Sequence, residues 1–206
     1  MIIDQLRSQR VLPVLRLPSA SEASKAATAM FDLGLEVVEL TATTPEWETA
    51  LRDTVRDADA NAAIGLGTVT DADIAERAIQ AGARFLVSPW PVPAVRDVAE
   101  ATGVLFIEGA FTPAELADGV GPFNQRPTKL FPAHVGGPQY LKSMLAVLPG
   151  ATVIPTGGIA LTEVSTWLTA GAAAVGIGSD LLKPGAADAL QEILATLEPT
   201  EGGASA

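Results

Sequence analysis

The chain alternates eight times between a short apolar run rich in β-branched residues and a longer segment with helical spacing. The predicted strands cover residues 11–17, 37–42, 63–69, 85–89, 104–110, 128–133, 152–159 and 174–181. This alternation is typical of α/β proteins in which helices cover a parallel sheet. Eight units favour a closed (β/α)8 TIM barrel of the short form over an open doubly wound sheet. No G-x-G-x-x-G sequence follows the first strand, which argues further against a dinucleotide-binding sheet.

The segments between the strands predict the helices. Helical spacing is found at residues 21–33, 45–58, 71–81, 112–117, 139–148, 162–170 and 187–197, and an N-terminal helix is expected at residues 1–10. The expected helix starts are Ser21, Thr44-Pro45, Thr70-Asp71, Thr112-Pro113 and Thr162, and the expected ends are Gly34, Gly82, Gly103, Gly150 and Gly171. Because no linker divides the sequence, we expect one domain over residues 1–206, with a disordered tail at 198–206.

Composition excludes several classes of site and partner. The 206 residues include no cysteine, which excludes disulfide scaffolds, thiolate metal sites and cysteine nucleophiles, and one histidine cannot build a histidine-rich metal site. The net charge of −11 argues against nucleic acid and anionic membranes as partners. No apolar run has the length of a signal peptide or a membrane span. We therefore expect a cytoplasmic protein that acts on a small molecule.

Polar residues stand near the C-terminal ends of the predicted strands, where (β/α)8 barrels build their active sites. They are Arg16, Glu39, Thr68, Ser88, Glu108, Lys129, Thr156 and Ser179. Any one of them can be a solvated strand end without a function. A carboxylate, a lysine and an arginine that converge on one barrel mouth indicate a catalytic site.

Lys129 stands in the apolar segment Pro127-Thr-Lys-Leu-Phe-Pro-Ala133. Burial disfavours the charged form of an amine, and an amine must be neutral to attack a carbonyl carbon. The alternative is a strand-end lysine that extends its ammonium group to water. The polar residues at the ends of the other strands favour the interpretation of Lys129 as a nucleophile.

Two glycine turns follow the last two predicted strands, in Pro155-Thr-Gly-Gly-Ile159 and Gly176-Ile-Gly-Ser179. Glycines let backbone N–H groups approach a ligand, and a helix N-terminus favours an anion. The loops after strands 7 and 8 are the usual phosphate site of such barrels. A plain tight turn is the alternative interpretation. Since the whole chain is acidic, an anion site here must depend on such local groups.

With these residues placed, the sequence resembles the class I 2-keto-3-deoxy-6-phosphogluconate (KDPG) and 4-hydroxy-2-oxoglutarate aldolases from about residue 11 to 182. The resemblance rests on four segments in this order: Val38-Glu39-Leu-Thr41, Gly65-Leu-Gly-Thr-Val69, Lys129-Leu-Phe-Pro-Ala133 and Pro155-Thr-Gly-Gly-Ile159. It implies a homotrimeric barrel that needs no metal and no other cofactor, since the substrate forms an imine with a lysine.

The resemblance also implies roles for single residues. Lys129 would form the Schiff base, and Glu39 would be the general acid/base that moves protons through a bound water. The other implied substrate contacts are Arg16, Thr68, Pro89 and Thr156, and the implied phosphate contacts are Gly157, Gly158, Gly178 and Ser179. The iminium formed at Lys129 is an electron sink, which allows the C3–C4 bond of the substrate to break.

Departures from the family leave the substrate open. In the phosphogluconate branch an arginine four residues after the catalytic glutamate holds the pyruvate carboxylate, and here this position is Thr43. Arg16 is similar to the arginine that the phosphogalactonate branch uses instead, whereas Thr156 is similar to the phosphogluconate branch. The configuration at C4 of the substrate is therefore undecided.

Atypical residues are expected at the barrel mouth. Trp90, Glu108 and Phe111 lie at the ends of strands 4 and 5, where they predict a narrower and more acidic entrance. His134 is expected at the rim.

Four functions remain in competition. The first is an aldolase that releases pyruvate from a 2-keto-3-deoxy-6-phospho sugar acid. The second is an aldolase for 4-hydroxy-2-oxoglutarate or another short 2-oxo-4-hydroxy acid, which follows if Trp90 and Phe111 block a long substrate. The third is a phosphosugar isomerase or epimerase that uses no lysine nucleophile, and the fourth is an inactive metabolite-binding barrel. Fold alone does not choose among them.

Overall fold

The computed structural model of the protein describes residues 1–196, so the expected disordered tail at 198–206 lies outside the described residues. The strands β1 to β8 are Val11–Leu15, Val37–Thr41, Ala63–Gly67, Phe85–Val87, Leu105–Ala110, Thr128–Leu130, Val153–Pro155 and Val175–Ile177. Within this range the helices α1 to α9 are Ile2–Gln9, Ala20–Asp32, Trp47–Asp57, Ala72–Gln80, Pro93–Thr102, Pro113–Val120, Ala133–Val147, Val164–Thr169 and Ala186–Thr196.

All eight strands form one parallel sheet with the order β7-β6-β5-β4-β3-β2-β1-β8. A parallel bridge between Thr156 and Gly176 joins the two ends of this order. Each strand is followed by at least one helix. The predicted (β/α)8 TIM barrel with an N-terminal helix is therefore confirmed.

Two apolar cores follow from the alternation of side chains along each strand. One lies between the strands and the outer helices. The other fills the barrel interior with Leu12, Val37, Phe85, Ile107 and their neighbours, and Leu6 of α1 packs into it. In β1, β2, β5 and β7 the residue two positions after an interior residue faces the barrel interior as well. This alternation decides which polar residues at the strand ends face the barrel mouth.

Helix starts agree with the sequence in part. Asp71 and Thr112 cap α4 and α6 through their side chains as expected. The other starts are displaced: α2 is capped by Ser19 and not Ser21, α3 begins after Glu46 and not at Thr44-Pro45, and Thr162 lies inside a 3-10 turn, Leu161–Glu163, that precedes α8. The five predicted stop glycines all have positive φ angles, which a side chain would disfavour.

Two helices differ from their predicted extent. Helix α5 was not singled out by the sequence pattern, although Pro93 stands at its first position. Helix α7 begins directly after β6, and Gly137 interrupts it with a φ of 71°. The predicted helix at 139–148 corresponds to the part after this interruption. Within residues 1–196, no helix has both the length and the apolar character needed to cross a bilayer.

Candidate active site

A cavity of about 630 Å³ opens at the C-terminal ends of the strands. Strands β1, β2 and β6 and the loops after β3, β4, β7 and β8 contribute to its wall. Eleven of the predicted site residues line it: Arg16, Glu39, Thr68, Pro89, Trp90, Lys129, Thr156, Gly157, Gly158, Gly178 and Ser179. The sequence therefore identified most of the residues that surround this cavity.

Lys129 reaches the cavity from the middle of β6, and only 6% of the residue is exposed. Its Nζ atom lies 3.8 Å from Oε1 of Glu39 and 5.2 Å from the centroid of the Phe131 ring. The amine is thus enclosed by the barrel and does not extend into bulk water. A strand-end lysine that reaches solvent, the alternative interpretation, does not describe this geometry.

Glu39 is 1% exposed, and neither of its carboxylate oxygens has a hydrogen-bond partner within the part of the chain that the structure describes. Buried polar groups are nearly always paired, so this carboxylate stands out as a functional candidate. Burial raises the pKa of Glu39, and the positive charges of Lys129 and Arg16 offset part of that rise. Glu39 is therefore poised to exchange a proton.

Gly67, on the neighbouring strand β3, makes room for this carboxylate. A Cβ atom at Gly67 would overlap Oε1 of Glu39. The glycine of Gly65-Leu-Gly-Thr-Val69 therefore has a steric role in the position of the acid/base. Sequence reasoning placed Gly67 in a motif and assigned it no such role.

Arg16 is exposed at the mouth, directly beyond the end of β1. No ion pair or hydrogen bond of its guanidinium group occurs among residues 1–196, although its charge lowers the pKa of Glu39. Thr43, the position where the phosphogluconate branch has an arginine, lies outside the cavity wall and contacts Thr41 through their hydroxyl oxygens at 3.1 Å. Arg16 is thus placed to take a ligand carboxylate.

Two threonines occupy unusual positions at strand ends. Thr68 follows β3 with a φ of 60°, a left-handed conformation that β-branched residues rarely adopt. Such strain is concentrated at functional sites. Thr156 is buried after β7, and Gly176 on the facing strand makes room for its hydroxyl oxygen. Both threonines belong to the cavity wall.

The turn after β7 contains Gly157 with a φ of 97° and Gly158 with a φ of 71°. Side chains are excluded here, since a Cβ atom at Gly157 would lie 2.8 Å from the Phe131 ring and one at Gly158 would lie 2.5 Å from Nδ1 of His134. Across residues 1–196, no hydrogen bond uses the N–H of either glycine. These N–H groups are available to an anionic ligand.

Asp180 connects the loops after β7 and β8. It accepts a hydrogen bond of 2.7 Å from the Leu161 N–H and pairs with Lys183, and hydrogen bonding to Lys183 lowers the pKa of Asp180. Both side chains line the cavity, and sequence reasoning missed them. The signal was present, because Lys183 directly follows the 3-10 turn Ser179–Leu182, which begins at a residue that was expected to bind phosphate.

Three predicted rim residues lie outside the cavity wall. Glu108 points away from the barrel, because its neighbour Ile107 occupies the interior and side chains alternate along a strand. Phe111 stacks on Tyr140 with ring centroids 5.3 Å apart. His134 supports the glycine turn from outside, with its backbone N–H bonded to the Gly157 carbonyl oxygen at 3.1 Å. The expected narrow and acidic entrance is therefore wrong for Glu108 and Phe111.

Metal ligands are scarce in this region. Within residues 1–196, no group of three or more histidine, cysteine, aspartate or glutamate side chains could hold a metal ion. What the cavity does bring together is an enclosed amine, a buried carboxylate with a raised pKa, an arginine and exposed backbone N–H groups. This set suits covalent chemistry on a 2-keto acid that also carries a second anionic group.

Comparison with known proteins agrees with this chemistry. A sequence model for the family described as aldolase, KDPG and KHG aldolase, matches residues 2–196. A curated relative from Rhizobium meliloti (strain 1021), a probable 2-dehydro-3-deoxy-6-phosphogalactonate aldolase, is 33% identical over 190 residues, which cover 91% of this chain and 89% of the relative.

Two solved structures extend the likeness to three dimensions. One is a 4-hydroxy-2-oxoglutarate/2-dehydro-3-deoxyphosphogluconate aldolase, with 29% identity and a TM-score of 0.80 over 95% of this chain and 96% of that one. The other is a KDPG aldolase from Legionella pneumophila with pyruvate captured as a covalent carbinolamine, with 27% identity and a TM-score of 0.79 over 97% of this chain and 98% of that one.

Proposed function

The chain belongs to the KDPG and KHG aldolase family, and from this premise we propose that it cleaves a 2-keto-3-deoxy-6-phospho sugar acid. The products are pyruvate and glyceraldehyde 3-phosphate, and the substrate is of the phosphogluconate or phosphogalactonate type. The observation that carries the proposal is the enclosed pair of Lys129 and Glu39, 3.8 Å apart beneath an open cavity. The pyruvate captured as a carbinolamine in the Legionella relative supports the same chemistry.

Covalent binding begins at Lys129. The neutral amine attacks the C2 ketone of the substrate, and the resulting carbinolamine loses water to give an iminium. The positive iminium nitrogen then accepts the electron pair of the bond that breaks.

Glu39 moves the protons. As a carboxylate it takes the proton of the C4 hydroxyl group, directly or through a bound water, while the C3–C4 bond breaks and the C4 oxygen becomes the aldehyde. The electron pair of that bond forms an enamine on the three-carbon half. Glu39 then returns the proton to C3, and water releases pyruvate from the iminium. Neither carboxylate oxygen has a hydrogen-bond partner among the described residues, which suits this double use.

The carboxylate and the phosphate of the substrate are each assigned to nearby groups of positive charge or partial positive charge. We assign the substrate carboxylate to Arg16, since a fork-shaped guanidinium can bind it through two parallel hydrogen bonds. We assign the phosphate to the N–H groups of Gly157 and Gly158 and to the loop at Gly178 and Ser179, which line the same cavity. These contacts offset the repulsion expected from a chain of net charge −11.

A shorter substrate is the second candidate, because one related solved structure is named for 4-hydroxy-2-oxoglutarate as well as deoxyphosphogluconate. The cavity favours the longer substrate, since Phe111 is stacked elsewhere and about 630 Å³ stays open with Trp90 in place. Arg16 and the Rhizobium relative support the phosphogalactonate type. Pyruvate release from both phosphorylated acids and from 4-hydroxy-2-oxoglutarate, measured side by side, tests the choice.

One experiment distinguishes the aldolase from the two other candidate functions. An isomerase or epimerase would not fit an aldolase family and would form no imine, and an inactive metabolite-binding barrel would bind ligand without reacting. Borohydride reduction in the presence of pyruvate leaves a stable adduct only where an imine has formed. Absence of any adduct on the folded protein would contradict the aldolase mechanism.

We also propose that the enzyme is a cytoplasmic homotrimer that needs no metal. The family resemblance supports the trimer, and the lysine and glutamate chemistry supports metal independence. Light scattering at working concentrations tests the trimer. Unchanged turnover after dialysis against a chelator is the expected result for metal independence.

A further inference from the structure

Trp90 is an apolar residue in an exposed place. It is 56% exposed, and it lines the same cavity as Lys129 and Glu39. Phe123 is the other strongly exposed aromatic side chain among residues 1–196, and it lies outside this cavity. A large exposed aromatic group at the mouth of a reaction cavity is a candidate for ligand contact.

The backbone at Trp90 is fixed to strand β5 by a serine. The Ser88 hydroxyl group donates a hydrogen bond of 2.7 Å to the Trp90 carbonyl oxygen and accepts one of 3.0 Å from the Gly109 N–H. Gly109 lets the two segments approach, since a Cβ atom there would lie 2.6 Å from the carbonyl oxygens of both Ser88 and Pro89. The loop is thus held tightly on the side before Trp90.

A second anchor holds the loop after Trp90. Oε1 of Glu108 accepts a hydrogen bond of 2.8 Å from the Val92 N–H, and Arg96 pairs with the other oxygen of this buried carboxylate. Pro91 fixes one further φ angle between the anchors. Glu108 therefore positions the loop from behind and does not face the mouth. The backbone that carries the indole ring is thus fixed on both sides, which lowers the cost of ordering this loop around a ligand.

We propose that Trp90 is a specificity-determining residue that packs its indole ring against the substrate carbons beyond the cleaved bond. It thereby favours a six-carbon phosphorylated acid over 4-hydroxy-2-oxoglutarate. This inference rests on the proposed aldolase function and adds a residue to it.

The position of Trp90 decides which part of the substrate it meets. The reacting carbons C2, C3 and C4 must lie beside Lys129 and Glu39, which are 6% and 1% exposed and lie deep in the barrel. The carbons beyond the cleaved bond extend toward the mouth, where Trp90 stands. The indole ring has a large apolar face that suits carbon chains.

The length of the substrate's carbon chain distinguishes the two candidate substrates. A six-carbon phosphorylated acid has C5 and C6 between the reacting carbon and its phosphate, and both carry C–H groups that can lie on an aromatic face. In 4-hydroxy-2-oxoglutarate C5 is a carboxylate carbon attached directly to C4, so no carbon with C–H groups follows C4. A contact with Trp90 is therefore available to the longer substrate only.

Kinetics with both substrates test the proposal. We expect Trp90→Ala to raise KM for the six-carbon phosphorylated acid by about five- to tenfold and to leave KM for 4-hydroxy-2-oxoglutarate unchanged. Trp90→Phe should recover part of the loss. Phe123→Ala, which removes an exposed aromatic ring away from the cavity, is the matched control and should change neither KM. Equal effects on both substrates, no effect, or a lower KM for the longer one would overturn the proposal.

Fluorescence gives a second readout that does not need turnover. Trp47 and Trp167 are buried, so Trp90 dominates the emission that responds to solvent and ligands. Glycerol 3-phosphate resembles the aldehyde half and lacks a reactive carbonyl group. It should change the emission of the wild-type enzyme in a saturable way and leave that of Trp90→Phe unchanged. A saturable change that persists in Trp90→Phe would contradict contact with Trp90.

Borohydride trapping separates this proposal from the aldolase function, because trapping needs only the three-carbon half. Trapping retained in Trp90→Ala, together with the selective rise in KM, supports both. Trapping retained with unchanged KM values overturns the role of Trp90 and leaves the aldolase function standing. A wild-type enzyme that traps no pyruvate overturns both.

Discussion

Nζ of Lys129 and Oε1 of Glu39 lie 3.8 Å apart, across the barrel interior between strands β6 and β2. This separation is too long for a direct hydrogen bond, yet close enough for each charge to affect the other. Neither group is locked to its partner, so each can meet a different carbon of one substrate. The amine reaches C2, and the carboxylate serves the hydroxyl group at C4 and later C3.

Lys129 is expected to carry the covalent adduct. Reduction with borohydride in the presence of pyruvate should add a reduced pyruvyl group to Lys129, which peptide mass spectrometry locates. Lys129→Met should abolish the adduct and pyruvate release, because no other amine of the described residues lies beside Glu39. Lys142→Met removes an exposed lysine outside the cavity and should retain both. A label on Lys25, Lys142 or Lys183 would contradict the assignment.

The pH dependence of cleavage should report on Glu39. Burial raises the pKa of this carboxyl group, and cleavage needs the carboxylate form to accept the C4 proton. The rate should therefore fall as the pH falls through a pKa above the ordinary glutamate range. Glu39→Gln should lower kcat by about 10²–10⁴-fold and should remove this limb from the profile of kcat/KM. An unchanged limb in Glu39→Gln would assign the titration to another group.

Gly67→Ala should separate folding from catalysis. The added methyl group overlaps Oε1 of Glu39, which is the mobile end of a side chain, so the carboxylate should move while the barrel folds. We expect a large fall in kcat with the circular dichroism spectrum and pyruvate trapping on Lys129 retained. Gly103→Ala is a steric control, since no atom lies within 4 Å of its added Cβ, although its φ of 71° adds local strain. Full activity in Gly67→Ala would contradict the proposed role of Glu39.

The sequence predicted the barrel and most of its cavity wall for a physical reason. Short apolar strands and capped helices repeat at regular spacing, and parallel strands bring their C-terminal ends together. Lys129 and Glu39 could be placed because they stand in otherwise apolar strands. Chain-local signals were therefore sufficient to place both residues at the cavity, whereas the roles proposed for them rest on the family resemblance as well.

Glu108 and Phe111 show where this reasoning failed. Both were placed by their position along the chain, although side chains of a strand alternate between two faces. Ile107 faces the interior, so Glu108 must face α5, where Arg96 pairs with it. Phe111 was beyond prediction, because its stacking partner Tyr140 comes from α7, 29 residues later. Asp180 was missed for a similar reason, since its link to Leu161 depends on two loops that meet only in the folded barrel.

Arg16 is expected to hold the substrate carboxylate. An arginine at this strand end could instead pair with Glu39 or Glu108 and orient that carboxylate. Glu108 is paired with Arg96 on the outer face, and among residues 1–196 the guanidinium group of Arg16 forms no ion pair. Charge-assisted contacts of this kind contribute about 1.5–3 kcal/mol. Arg16→Ala should therefore raise KM for pyruvate-type ligands by roughly one to two orders of magnitude.

Arg16 also lowers the pKa of Glu39, so its loss should have a second effect that must be kept apart from the first. Removal of the positive charge should move the acid limb of the rate profile to higher pH, since the carboxylate loses a stabilising neighbour. KM is therefore best compared well above that limb, where Glu39 is ionised in both enzymes. Relative to Arg16→Ala, Arg16→Lys should restore the pH position of the acid limb more fully than the affinity for the substrate. A lysine supplies the positive charge without the planar fork. Lys142→Ala removes a remote charge and should change neither quantity. A fall in kcat with unchanged KM would show that Arg16 orients the catalytic acid instead of binding the substrate.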